Sequence, residues 1–306
     1  MIDNKIKIAV FYYSQSGQAC NVAQRLFCSE KVPETSCQVI YKQIIPTQTY
    51  PFPWSKYEFF DTFPETRLYN PPSGIKAIEL DDVNDADLVV VVGQSWFLSP
   101  SLPLQSFFAD KDIKDYLHNR NVVFVNVCRN MWLKTIEWLK IYTKRIGAHL
   151  VGHIVLQDKA PNLISAVTIV RWLICGKKEA SHIMPRAGVS TKDIHDSRRF
   201  GEIIYQTLSL GDLQNLQSRL LSVGAIDYRP FILHIEKIGF RMFGFWAKFI
   251  KRKGDFRDVR RKNRVYAFYY YLIVALFIVS PIVELFYYIT YPLQKNKKYK
   301  EEYCRI

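Results

Sequence analysis

The sequence predicts an α/β protein built on a doubly wound, five-stranded parallel sheet, followed by a helical, membrane-associating C-terminal extension. Three observations predict it. Stretches rich in Val, Ile and aromatics alternate with helix-forming stretches through the first half of the 306 residues, the rhythm of βαβ units. Those stretches are continuously apolar, as strands covered on both faces must be. The last third then changes character: residues 221–306 carry 17 Lys and Arg against 7 Asp and Glu, a net +10 of the chain's +14.

The first strand is Ile6 to Tyr13, with Lys7 its only charge. It stops at Ser14-Gln15-Ser16-Gly17-Gln18, and a helix follows with Ala19, Val22, Ala23 and Leu26 on one face. A strand, a short polar loop and a helix aim free backbone N–H groups and the positive helix end at a phosphate. The plainer alternative is an ordinary serine-rich turn. The loop has one glycine and no Gly-Lys-Ser/Thr ending, which argues against a dinucleotide fingerprint or a nucleotide P-loop.

The second strand is Ser36 to Ile44. From Pro46 to Pro72, repeated prolines exclude a central strand or a long helix. This segment is nevertheless loaded with Tyr, Trp and Phe, so it either packs on the core or walls an apolar pocket. Asp87 to Gly93, with four consecutive valines, is the third strand, and Gln94-Ser95-Trp96-Phe97 follows it. Asn121 to Val127 is the fourth, delivering Cys128-Arg129-Asn130 to the same sheet edge before a helix from Trp132 to Ile146. His149 to Leu156 is the fifth. In such a sheet, ligands bind beyond the carboxyl ends of the strands, so the three loops should converge. Asn130 could equally cap the helix that follows it. Trp54, Phe60, Trp132 and Arg186 are the candidate substrate-pocket residues.

The remainder divides into helical candidates at Leu163 to Ile174 and Arg198 to Leu210, then the basic tail. The expected units are residues 1–160, 161–222 and 223–306. Phe231 to Arg264 interleaves Phe240, Phe243, Phe245, Trp246 and Phe249 with Lys and Arg, and Val265 to Val283 is nineteen residues without a charge. That is just long enough to cross a bilayer core, with tyrosines at both ends. Basic residues flank it on both sides, the later ones being Lys295, Lys297, Lys298 and Lys300, and they suit anionic headgroups. Pro281 and Glu284 leave open a bent or flat-lying helix instead of a span. No secretory signal is apparent, the six cysteines lack metal or disulfide spacing, and no metal site is expected. Nucleic-acid binding is not expected, because no basic cluster sits in a fold that reads it.

Ser14-x-Ser16-Gly17 after the first strand resembles the phosphate loop of flavodoxins, Ser/Thr-x-Thr-Gly-x-Thr, which binds the phosphate of FMN. Ala19 stands where the last hydroxyl would be. The loop at 94–103 resembles the flavin-flanking loop of flavodoxin-like quinone reductases. That resemblance implies FMN as cofactor, held by Ser14, Gln15, Ser16, Gly17, Gln18, Gln94, Ser95, Trp96, Phe97, Cys128, Arg129 and Asn130. Trp96 or Phe97 would lie against the flavin ring, and Arg129 and Asn130 would donate to its pyrimidine edge.

A second resemblance is carried by Tyr-Tyr-Ser-Gln-Ser-Gly-Gln (12–18), Pro-Phe-Pro-Trp (51–54), Phe-Pro-Glu (63–65), Trp-Phe-Leu-Ser-Pro-Ser (96–101), Cys-Arg-Asn-Met-Trp (128–132) and Pro-Arg-Ala-Gly-Val-Ser (185–190). Together these look like the bacterial dialkylresorcinol condensing enzymes. The resemblance implies a lipophilic substrate, a ketosynthase and an acyl carrier protein as pathway partners, membrane lipids as neighbours and the cytoplasmic face of the inner membrane as location. A homodimer is among the assemblies open to it. A condensing enzyme needs an activated Cys with His partners, and only Cys128, beside Arg129, offers a thiol with a conceivably lowered pKa. The residues favour an FMN-dependent aromatase with Arg129 stabilising negative charge. An acyl-condensing enzyme acting through Cys128 and a non-catalytic membrane scaffold are the alternatives.

Overall fold

The computed structural model describes residues 5–290 and Cys304. The expected cations Lys295, Lys297, Lys298 and Lys300 lie outside the described residues. Strands β1 (Ile6–Tyr12), β2 (Cys37–Gln43) and β3 (Leu88–Trp96) pair in parallel, and β4 (Ser99–Pro100) folds back antiparallel on β3. β5 (Asn121–Cys128) and β6 (His149–Gln157) extend the parallel sheet, giving the order β2-β1-β3-β5-β6. With β4 set aside as the return arm of a hairpin, this is the flavodoxin-like order, with its switch point between β1 and β3. β3 runs three residues past the expected Gly93 because the hairpin extends it.

Helix α1 (Gln18–Leu26) follows β1, α2 (Lys56–Asp61) and α3 (Phe63–Leu68) occupy the proline-rich segment, and α4 (Leu102–Ala109) and α5 (Lys111–Leu117) follow the hairpin. Then come α6 (Leu133–Arg145), α7 (Asn162–Cys175), α8 (Thr191–His195), α9 (Arg198–Ser209) and α10 (Leu216–Ser222). Period-2 alternation along the strands divides the core. Ala9, Phe11, Val89, Val91 and Phe124 point to the side of α4, α5 and α6. Ile8, Val10, Val90, Val92 and Val125 point to the side of α1, α9 and α10. On that side α9 crosses α1 at Gly201, where an added Cβ would lie 1.8 Å from the carbonyl oxygen of Leu26. Only a glycine allows that approach.

The tail is two helices laid side by side. α11 (Pro230–Lys251) is followed, after a short loop, by a helix from Val259 to Thr290 that includes α12 (Lys262–Val274), a π turn at Ala275–Val279 and α13 (Ser280–Thr290). The π turn lies just before Pro281. A proline in a helix interior removes an N–H and crowds the carbonyl four residues back, and the wider turn absorbs that misfit. The two helices run antiparallel: Phe231 meets Tyr287 at one end, and Phe243 meets Phe268 toward the other.

The tail is fastened to α2 and α3. Phe63 stacks on Phe268 with centroids 3.7 Å apart, and Arg67 donates to the carbonyl of Phe240 while covering its ring. Arg261, with no exposed surface, donates to Asp61 Oδ1 at 2.6 Å and to both oxygens of Glu65 at 2.8 and 2.9 Å. Lys251 joins Glu65 at 3.0 Å. The aromatic, proline-rich segment is thus the seat of the tail. Removing one partner from a buried ion cluster strands the others, so Arg261→Met should destabilise the fold by about 3–5 kcal/mol. Urea unfolding measures this, and an Arg261→Met, Asp61→Asn, Glu65→Gln triple variant should recover most of the loss.

Candidate functional site

The carboxyl ends of β1, β3 and β5 open on one cavity of about 350 Å³. Gln15, Ser16 and Gln18 stand at one side of it, Gln94 to Leu98 at another, and Val127, Cys128 and Arg129 at a third. The three loops converge as strand order requires. Gly17 has φ +83° and caps α1 without a side-chain bond, leaving the first amides of the helix without an internal partner. The hydroxyl of Ser14 and the Gln94 side-chain carbonyl are buried without a partner. An anionic group at this loop would satisfy the amides and the Ser14 hydroxyl, whereas the Gln94 carbonyl needs a donor, so the residues fit a phosphate-bearing cofactor that also carries N–H groups.

Other side chains of the loop are already engaged. Gln15 donates to the carbonyls of Tyr50 and Pro51 at 3.0 and 2.8 Å and is bonded to the Tyr13 hydroxyl. Gln18 donates to the carbonyl of Val189 and accepts from its amide, closing the 185–190 loop over α1. Both residues line the cavity, and their side-chain amides hold neighbouring loops. Gly17 is exposed and does not line the cavity, and an added Cβ there would meet nothing within 4 Å.

At the second loop, Phe97 and Leu98 form a two-residue hairpin in which both have positive φ, +46° and +63°. That turn ordinarily takes Asn-Gly, and bulky residues hold it at a cost of order 1–3 kcal/mol each. Packing compensates: Phe97 sits 4.9 to 6.0 Å from the rings of Phe59, Phe60 and Phe63. Ser95 is bonded to Asn126 and Thr135, and Trp96 touches Tyr13, Tyr50 and Trp54 edge-on. Trp96 and Phe97 both line the cavity.

At the third loop, Arg129 donates to the carbonyl and side-chain oxygens of Asn162, both at 2.9 Å, and Asn130 donates to that side-chain oxygen at 3.0 Å. Burial lowers the Arg129 pKa to about 10, with Asp158, Cys128 and Glu236 offsetting part of the shift. Burial pushes the Cys128 thiol up, with Glu236 adding to the effect and Arg129 opposing it. The expectation of a thiol made acidic by Arg129 is therefore corrected: desolvation outweighs the cation.

From this polar end the cavity runs outward between three helices. α7 lines it with Ala166, Ile169, Val170 and Leu173, and α11 with Ile235, Ile238, Gly239 and Met242. Each set has the spacing i, i+3, i+4, i+7 of one helix face. Leu272, Leu276, Val279 and Val283 of the last helix close the third side. None of these residues was singled out from the sequence, although the two faces are legible in it.

Of the expected pocket residues, Trp54 lines the cavity and three do not. Phe60 is turned away into the cluster with Phe268 and Tyr269, and its neighbour Phe59 faces the cavity instead. Trp132 is 1 % exposed in the core beneath α6, 5.6 Å from the ring of His153. Arg186 stands apart from the cavity, bonded to Thr191 and Glu179. Asn130 is buried against Asn162 and does not line the cavity, and α6 begins at Leu133, so Asn130 does not cap it either.

The cap comes from the tail. Glu236 of α11, fully buried, accepts from the amides of Trp132, Leu133 and Lys134 at 3.1, 3.1 and 2.8 Å. A carboxylate at a helix N-terminus is favoured by both its amides and its dipole. Burial nevertheless raises the Glu236 pKa to about 7, the three amides opposing that rise in part.

No protein-family model matches the chain, and no curated protein does. Among solved structures it is similar to a flavoprotein in complex with FMN from Lactobacillus acidophilus NCFM, at 17% identity over 49% of this chain and 93% of that one, with a TM-score of 0.39. It is also similar to a WrbA-like flavodoxin from Agrobacterium tumefaciens, at 11% identity over 67% and 99%, TM-score 0.35. An azoreductase from Bacillus anthracis follows at 10% identity over 64% and 99%, TM-score 0.35. At these identities the likeness is one of fold.

Glu236 sets a pH dependence. Its folded-state pKa lies above that of a free carboxylate, so between pH about 4.5 and 7 the folded chain binds the proton more tightly than the unfolded chain, and stability falls as pH rises through that window, by on the order of 3 kcal/mol. Urea unfolding at pH 5, 6, 7 and 8 should show this decline, and Glu236→Gln should flatten it.

Proposed function

We propose that this chain is an FMN-dependent oxidoreductase acting on a ring that carries long apolar chains. The observation that carries the reading is the single cavity that joins the 14–18 loop to an apolar corridor between α7, α11 and the last helix. A polar end with unpartnered donors suits a cofactor phosphate, and the corridor suits hydrocarbon. Bound FMN would supply a two-electron acceptor at the sheet edge.

In this reading the amides and serine hydroxyls of residues 14–18 hold the phosphate. Trp96 bounds the reaction space. Arg129, held in place by Asn162, remains cationic at neutral pH and favours negative charge developing on a ring oxygen or on the reduced cofactor. The corridor excludes water and fixes the chains, which orients the ring at the polar end.

The finer proposal joins this site to the resemblance to dialkylresorcinol biosynthesis proteins. There the substrate is a dialkyl cyclohexane-1,3-dione or the 3-hydroxycyclohexenone that is its enol. It loses two hydrogens, one as a proton and one as hydride, and tautomerises to the aromatic diol. Oxygen or a quinone is the terminal acceptor. A ketosynthase and an acyl carrier protein would make the substrate. The condensing alternative asks Cys128 to act as a nucleophile in a place where burial keeps it protonated.

The test is the absorbance spectrum of detergent-purified protein before and after FMN is added. The two visible absorbance bands of oxidised flavin, at about 370 and 450 nm, should stay with the protein after unbound FMN is removed, and a Ser16→Asp, Gly17→Asp variant should bind FMN about tenfold more weakly or worse, because two carboxylates then face the phosphate. Absence of binding at high FMN concentration sinks the proposal, and acyl trapping at Cys128 then becomes the next experiment. Arg129→Gln should retain the flavin bands while slowing ring oxidation by about 10²–10³-fold, as loss of one electrostatic stabiliser does.

A further inference from the structure

The cavity does not end in the protein interior. Val170, Ile238, Met242 and Val279 all line it, yet each is 41–47 % exposed, so they mark its mouth. The mouth is apolar on every side. Around it the last helix turns Ile273, Phe277, Ile278, Ile282, Leu285 and Phe286 outward, 37–62 % exposed. Only 11 % of the most apolar window of this helix is buried. A surface of this extent is expected to meet lipid or protein, not water.

The same helix cannot be ringed by lipid. Its inner face, from Tyr271 to Val283, closes the cavity against the sheet-edge loops. Were it perpendicular to a membrane, that stretch would lie about 10–28 Å beyond Arg264, within the hydrocarbon core. Arg129, Gln94 and the irregular backbone of the loops would be carried in with it, and unpaired backbone is not tolerated there. Laid flat, the helix puts only its outer face into lipid. Exposed Lys248, Arg252 and Lys253 gather where α11 ends, placed for anionic headgroups, while the neighbouring Arg260 is paired with Asp258.

We propose that α11 and the 259–290 helix lie in the plane of one leaflet and cover the cavity, whose mouth between α7, α11 and Val279 opens sideways into the acyl-chain region. The ligand class follows: an amphiphile drawn from the bilayer, its polar ring at Arg129 and its chains in the corridor. Small residues keep the way open. Gly239 sits mid-helix in α11, where it costs about 1 kcal/mol relative to Ala, and an added Cβ would lie 3.3 Å from Leu98. Ala166 and Ala275 line the other two walls. This inference rests on reading the cavity as the substrate site, but neither of its tests uses flavin.

The first test uses the full chain on phosphatidylcholine–phosphatidylglycerol liposomes containing phosphatidylcholine with a diazirine at mid-chain. After illumination, adducts should appear on Leu173 and Leu276 inside the cavity as well as on outward-facing Ile282 and Phe286. Ala166→Trp or Ala275→Phe should cut the inner adducts about tenfold by filling the corridor, and leave the outer ones. Two such variants guard against one failing to fold. Outer adducts alone, or inner adducts unchanged in both variants, overturn lateral access.

The second test is spin-label depth at Tyr270→Cys and Phe286→Cys. An in-plane helix gives similar depths, whereas a span separates them by about 24 Å and overturns the placement. A chain that fails to bind FMN but passes both tests would lose its cofactor and keep this inference. One that binds FMN but fails them would do the reverse.

Discussion

A guanidinium without exposed surface is costly to bury, and it persists only where carboxylates meet it on the right geometry. Arg261 is such a group. Asp61 and Glu65, themselves about 1 % exposed, take its donors, and Lys251 brings the second positive charge. The cluster is close to neutral, which is why it can be dry. It ties the start of the last helix and the end of α11 to α2 and α3, two short helices of only six residues each. Apolar contact alone could slide. The bidentate pair cannot, and it fixes the register in which Phe268 stacks on Phe63.

At the other end of α11, Glu236 does the complementary work. Its two oxygens take three amides of α6, a helix that begins at the sheet edge beside Arg129. The tail is therefore pinned twice, once by cation to carboxylate and once by carboxylate to helix terminus. Between the pins it spans the open edge of the sheet, and the space left beneath it is the cavity. The strained Phe97–Leu98 turn belongs to the same construction. Its tip projects under α11 and packs on the seat of the tail, so the contacts that hold the tail also hold the turn.

The sheet was legible because burial on both faces leaves a continuous apolar run that few other structures produce. Bounds agree within a residue or so, except at β3, where the hairpin with Ser99–Pro100 carries the strand onward. Convergence of the loops after β1, β3 and β5 followed from strand order alone. Side-chain direction did not. Phe59 and Phe60 differ by one position on a short helix, and only the packing of α12 decides which faces the cavity. Trp132 and Arg186 look equally available in sequence, but one caps the core under α6 and the other is tied to Glu179. Glu236 could have been suspected as the only acidic residue of α11 within an otherwise apolar and basic helix. What it caps is 102 to 104 residues away, a distance no local pattern reports.

The two ends of the cavity constrain one another. At the sheet edge, donors are abundant: the amides before α1, the Ser14 hydroxyl, and Arg129 held at Asn162. About ten ångströms of helix face on α7 and α11 are then predominantly apolar, about seven residue steps at 1.5 Å each. A small polar ligand gains nothing from the corridor, and a simple hydrocarbon gains nothing from the donors while leaving them unpaired. An amphiphile satisfies both, and it can do so in one orientation. In the proposed reading that orientation would set its polar ring at Arg129, after β5, beside the β1–β3 switch point at which sheets of this order hold their cofactors. Ala19, which stands where a last hydroxyl would be, is fully buried against the core, so in the proposed reading a phosphate at this loop would be held by its amides and the two remaining serines.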